Sequence, residues 1–218
     1  KIVVPSLMRD QALFYLLTKE KPGKTLIFVN AITMVKRLVP LLQTMGVRAW
    51  GLFSEMKMQQ RLTNVEKFTR TPESVLVTTD VTARGIDIDD IQTVVHYDLP
   101  RTVELYVHRT GRTARAGRTG QAVALVEKEN QAPFKKLLHE LKKPDFPVIE
   151  MEAKTFNRTI RIAALANRIT QHILQKRKET LKKKDEKEEE FEDESVMDED
   201  EEFEERKVVA KKEREYRE

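Results

Sequence analysis

The chain has 218 residues, 39% of them hydrophobic and 35% charged, a charge fraction above the globular average that predicts one packed domain plus a segment that never packs. The absence of cysteine excludes disulfides and thiolate metal sites and fits a reduced interior compartment. The scattered histidines make no metal site, and no apolar run approaches the roughly 20 residues of a membrane-spanning helix. The net charge of +4 hides a basic body followed by an acidic stretch, and a body of that kind fits either a polyanionic partner or a merely solubilising surface.

In chain order, Ile2 to Val4, Thr25 to Val29, Arg48 to Phe53, Val75 to Thr79, Thr93 to Tyr97 and Ala122 to Val126 read as strands. Between them apolar residues fall at helical spacing: Leu7, Leu13, Leu16 and Leu17; then Met34, Val35, Leu38, Leu41 and Leu42; then Leu62, Val65 and Phe68. Short β-branched runs alternating with helical patterns predict an α/β fold, a parallel sheet flanked by helices. Asn30 is expected to cap the helix after the second strand, and Pro22-Gly23 and Thr71-Pro72 to end helices. His96 is expected in a strand and His139 and His172 in helices, all structural, and Trp50 is expected to pack rather than stack on a base.

Beyond Pro147 the pattern changes. Thr155 to Gln175 predicts a helix, and from Lys176 onward charge dominates. The expected organisation is a domain over 1–153, a C-terminal helix over 154–175 and a charged, mobile tail over 176–218. Residues 1–184 carry 33 Lys and Arg against 18 Asp and Glu, whereas 185–205 carry one Lys against 15 acids. That acidic stretch either competes with a polyanion for the basic body or serves as a solvated spacer or partner-binding tail. The N-terminus lacks the order of a signal peptide, and a start at Lys1 in mid-pattern suits a piece of a longer polypeptide.

Gly23-Lys24-Thr25 imitates the end of a phosphate-binding loop. That motif needs another glycine five residues earlier, where Thr18 stands, and it follows a strand instead of preceding one, so the triplet reads as a turn. The segment HRTGRTARAGRTG, His108 to Gly120, sets Arg112 and Arg115 three apart. On a helix they would share a face, and two such guanidiniums can approach one triphosphate. TTDVTARGIDI, Thr78 to Ile88, leaves the carboxyl end of a predicted strand, where ligands of parallel sheets bind, and is expected on the same sheet edge as the arginines. Gly85 permits close backbone approach, Asp87 can accept from a ribose hydroxyl, and Thr79 and Asp80 offer polar atoms to a phosphate backbone or a domain interface.

Together these segments resemble a known family. TDVTARGID looks like motif V, YVHRTGRTARAG like motif VI and LIFVN at Leu26 to Asn30 like motif IV of DEAD-box RNA helicases, over residues 1 to about 150. The resemblance implies a RecA-like helicase C-terminal domain. It makes Arg112 and Arg115 arginine fingers and places Asp87 and Gly85 at the nucleotide. Arg61, Thr79, Asp80, Arg84 and Gly85 fall on the RNA side, and His108, Arg109 and Gly111 are motif positions. It also implies ATP with Mg, held mainly by an N-terminal RecA-like domain of the same protein.

Met58 stands where the family usually has glutamine, Phe53-Ser54 where His-Gly is common, Thr82 for an alanine and Ala114 for a frequent glycine. Within the family the likeness is to nucleolar helicases of large ribosomal-subunit assembly, of the maintenance-of-killer type. That implies pre-ribosomal RNA and pre-ribosomal proteins as partners, in the nucleus and nucleolus, with no membrane partner. The expected function is the second half of an ATP-dependent RNA helicase, inactive alone. The alternative is a non-catalytic RNA-binding scaffold.

Overall fold

The structure, a computed structural model, describes residues 1–83, 88, 90–115, 117–176, 179 and 180. Six strands form one parallel sheet: β1 (Ile2–Val4), β2 (Thr25–Phe28), β3 (Ala49–Leu52), β4 (Val75–Thr78), β5 (Thr93–His96) and β6 (Gln121–Glu127), in the order β1-β6-β5-β2-β4-β3. Pairing Phe28 with both Thr78 and His96, and Leu52 with Thr78, brings the carboxyl ends of β2 to β5 out level with one another.

Burial on both faces follows from the period-2 alternation of each strand. Ile27, Val77, Val95 and Val123 face one layer, built by α1 (Arg9–Tyr15), α2 (Ile32–Thr44) and the helical residues 153–170, here α7. Leu26, Phe28, Leu76 and Val94 face the other, where α3 (Met58–Arg70) adds Phe68. On that side α5 (Val103–Thr110) supplies Tyr106 and α6 (Gln131–Glu140) supplies Phe134, Leu137 and Leu138 over Ala124 and Val126 of β6. The short α4 (Asp80–Ala83) follows β4.

Lys1–Thr170 is one compact unit and Gln171–Glu218 another. In the second, residues 171–176, 179 and 180 are helical, and Gln175 donates to Glu179 at 3.1 Å. The acidic stretch 185–205 lies outside the described residues.

The predicted strands match the observed ones to within a residue, but Asn30 does not cap α2. Ala31 holds that position without a side-chain bond, because the Asn30 carboxamide is engaged by an arginine of α5. Gly23 turns the chain at φ 69 into β2, and Lys24 Nζ donates to the Thr69 carbonyl at 2.8 Å, so the glycine-lysine triplet is a turn before a strand.

Candidate functional site

After β2 the chain crosses toward β3, and after β5 it crosses toward β6, so the gap between the carboxyl ends of β2 and β5 is the topological switch point. Arg109 of α5 fills it. Its side chain is fully buried, and its fork donates from Nε and Nη2 to the two Asp80 oxygens at 2.6 and 2.7 Å. The remaining nitrogen bonds run to the Asp98 carbonyl at 2.7 Å and to Asn30 Oδ1 at 2.9 Å, and the guanidinium lies 5.1 Å from the centre of the Phe28 ring. One arginine therefore fixes the loops leaving β2, β4 and β5 by planar, bidentate geometry that a lysine cannot reproduce.

Asp98 extends the network. Its carboxylate accepts from Arg9 at 2.8 Å and from the Asn30 amide at 2.8 Å. Behind it Arg37 and the Tyr97 hydroxyl both donate to Asp10. Burial alone would raise the Asp10 carboxyl, but the Arg37 bonds hold it below its ordinary value.

His96 lies beneath the clamp, fully buried and stacked on Tyr106 with ring centres 5.3 Å apart. Burial, aided by the nearby Arg109 charge, pushes its pKa down to about 3. Unfolded chains then bind a proton that the folded state refuses, so the stability His96 contributes is complete above about pH 6.5 and falls as pH drops toward 3. Between pH 6 and 5 the expected loss from this group approaches about 1.4 kcal/mol per pH unit. Urea unfolding at several pH values should show that decline, and His96→Met should remove it; equal slopes in the two proteins would contradict the assignment.

The structure places Arg112 and Arg115 elsewhere. Because α5 runs back against the strand direction, the loop that follows it is delivered to the side where β5 and β6 begin. Thr113 Oγ1 donates to the Ile91 carbonyl at 2.5 Å, and Arg118 bonds Asp90 at 3.0 Å. Arg112 and Arg115, both half-buried, line a cavity of about 150 Å³ with Ile88, Ile91 and Gln92. A wide cleft of about 880 Å³ shares Asp90, Gln92 and Thr119 with that cavity. The expectation that motif V and the arginines lie along one sheet edge holds only for the end of the segment: Thr79 and Asp80 stand at the carboxyl ends, whereas Ile88 lies with the two arginines at the amino side.

Local bonds preset the arginine loop. Arg112, a donor only, meets His108 Nε2 at 2.7 Å, which makes that nitrogen the acceptor, and Arg115 Nε donates to the Gly111 carbonyl at 2.9 Å. Ala114 sits at φ 57, a left-handed conformation that glycine adopts without the cost of about 1–2 kcal/mol borne by an L side chain. That accounts for the glycine frequent there in the resembling family. A Cβ on Gly120 would collide with Thr113 and Ala114, so the return into β6 requires glycine.

Of the other expected site residues, Thr79 is buried with its hydroxyl 3.1 Å from that of Thr82. Arg61 is half-buried in the first turns of α3, near the carboxyl end of β3. Asp80 has both carboxylate oxygens committed to Arg109. Arg84, Gly85 and Asp87 lie outside the described residues. The sequence marks Arg109 only as a motif position; the signal for its role is an arginine six residues after Val103 and three after Tyr106, on the inward face of α5.

Residues 8–117 match the family model described as the helicase conserved C-terminal domain. The chain is 44% identical over 147 residues to the human ATP-dependent RNA helicase DDX24, covering 67% of this chain and 17% of that protein. It is 40% identical over 184 residues to the ATP-dependent RNA helicase mak5 of Sclerotinia sclerotiorum, covering 78% of this chain and 24% of that protein. It therefore spans less than a quarter of the length of either relative. Among solved structures, the E. coli DEAD-box protein SrmB, bound to regulator of ribonuclease activity A, matches with a TM-score of 0.62 at 33% identity, over 69% of this chain and 92% of that one. With the six-stranded parallel sheet, the switch-point clamp and the paired arginines, these matches show that the chain belongs to the helicase conserved C-terminal domain family and matches the DEAD-box C-terminal domains of the Mak5 type.

Proposed function

We propose that this domain is the arginine-donating half of an ATP-dependent RNA helicase. The observation that carries the reading is the placement of Arg112 and Arg115 together on one small cavity beside the segment entering β5. Two guanidiniums there can meet the γ-phosphate of an ATP held by a neighbouring domain and stabilise the charge that develops as the phosphoryl group leaves. Mg would accompany that nucleotide in the neighbouring domain, where it offsets phosphate charge. Asp87 and Gly85 would meet the ribose and the nucleotide, by the motif likeness.

The opposite end of the sheet takes the RNA backbone, with the half-buried Arg61 beside it, the buried Thr79 supporting the strand end from within, and Arg84 and Gly85 following by the motif likeness. Asp80 acts there through Arg109 and not by meeting a phosphate, since a carboxylate would repel one. Arg109 ties the two functions, because its side chain holds the loops at the carboxyl ends while its backbone stands three residues before Arg112. The motif likeness further supports pre-ribosomal RNA as substrate, pre-ribosomal proteins as neighbours and the nucleolus as the place of action.

A first test uses the chain as it stands. Arginines without a nucleotide-holding loop do not assemble a catalytic site, so steady-state phosphate release should stay at background with and without single-stranded RNA. Turnover that survived repurification would overturn the division of labour.

A further inference from the structure

After Phe156, which packs on the core near its start, helix α7 faces the domain with small side chains. Thr159, Ala163, Ala166 and Thr170, at helical spacing, are buried, Ala166 joins the main core, and Thr170 Oγ1 bonds Thr44 Oγ1 at 3.2 Å. Three of its aliphatic side chains lie on the flank, about a quarter turn round from that buried face: Ile162, Leu165 and Ile169 are 46%, 58% and 42% exposed, whereas Ile160 is half-buried. Spacing of three and four residues aligns them in one strip. Core-facing helices normally bury their branched aliphatics, so a strip that exposes them while packing alanines inward is built for a second contact.

The charge around the strip selects the partner. Arg158 lies one turn before Ile162, Arg161 one turn before Leu165 and Arg168 one turn after it, all exposed, and residues 153–170 contain no acid. A second copy of the chain would bring the same cations against themselves. RNA would satisfy the arginines but gain nothing from branched aliphatics, which offer no flat ring on which a base stacks. We propose that α7 is a docking face for an acidic amphipathic helix of a protein partner, whose apolar residues cover Ile162, Leu165 and Ile169 while flanking carboxylates meet Arg158, Arg161 and Arg168.

The test uses the full chain and a synthetic helical peptide with leucines at the matching spacing and glutamates elsewhere, followed by fluorescence anisotropy. Binding should saturate. It should weaken by about tenfold or more in the Leu165→Ser, Ile169→Ser double variant and separately in the Arg161→Gln, Arg168→Gln double variant, as loss of a central anchor or of complementary charge does. Circular dichroism should be unchanged, because all four side chains are exposed. No saturable binding, or equal binding of a peptide with serines for leucines, would overturn the proposal. So would a serine variant that binds the peptide normally but loses single-stranded RNA or anionic vesicles, or that abolishes self-association of the chain. Peptide binding that appears only after the acids of 185–205 are exchanged for amides would also overturn it, since the face would then have an occupant within the chain.

Discussion

Replacing Arg109 with alanine should destabilise the domain by about 3–5 kcal/mol, the cost of breaking a buried ion pair by removing one partner. The substitution strips both oxygens of Asp80, the Asp98 carbonyl and Asn30 Oδ1 of their shared donor at once. Lysine should recover little, because one ammonium cannot reach three loops. Removing the opposed charge as well, with Arg109→Met and Asp80→Leu together, should regain part of the loss, since no uncompensated carboxylate then remains. Urea unfolding of the three variants measures this. A cost below about 1 kcal/mol for Arg109→Ala would place the pair in the class of exposed ion pairs and remove the clamp from the account.

The same arginine shows where sequence reading stopped. Strands such as Thr25–Phe28 and Val75–Thr78 were legible because continuous β-branched and apolar runs bounded by turn residues have few alternatives. The turn at Gly23 was legible because its place before a strand excludes a phosphate loop. Arg109 was not, because its partners stand 29, 79 and 11 residues away, and a count of charges cannot tell a buried guanidinium from a solvated one. Asn30 was misread for the same reason: its local role as a cap lost to a long-range acceptor role.

The separation of the arginines from the carboxyl edge follows from topology. A loop that follows a returning helix must enter the next strand at its amino end, and Gly120 immediately precedes β6. Likewise the apolar residues of 155–175 predict a helix, but periodicity alone does not reveal that Thr159, Ala163, Ala166 and Thr170 face the domain while Ile162, Leu165 and Ile169 lie exposed on its flank.

In the intact protein, Arg112→Ala or Arg115→Ala should lower ATP turnover by about 10³-fold, within the range for loss of an arginine finger, with a far smaller effect on nucleotide affinity. Both side chains line one cavity and are preset by His108 and the Gly111 carbonyl, the pre-organisation that the proposed role requires. Lysine at either position should restore little, because a point charge loses the fork. The most direct measurement is single-turnover phosphate release from RNA-bound intact protein at saturating ATP, with nucleotide affinity measured in parallel. The account predicts that both alanine variants bind ATP nearly normally and release phosphate about 10³-fold more slowly. A rate within about threefold of the unsubstituted protein for both variants would contradict it.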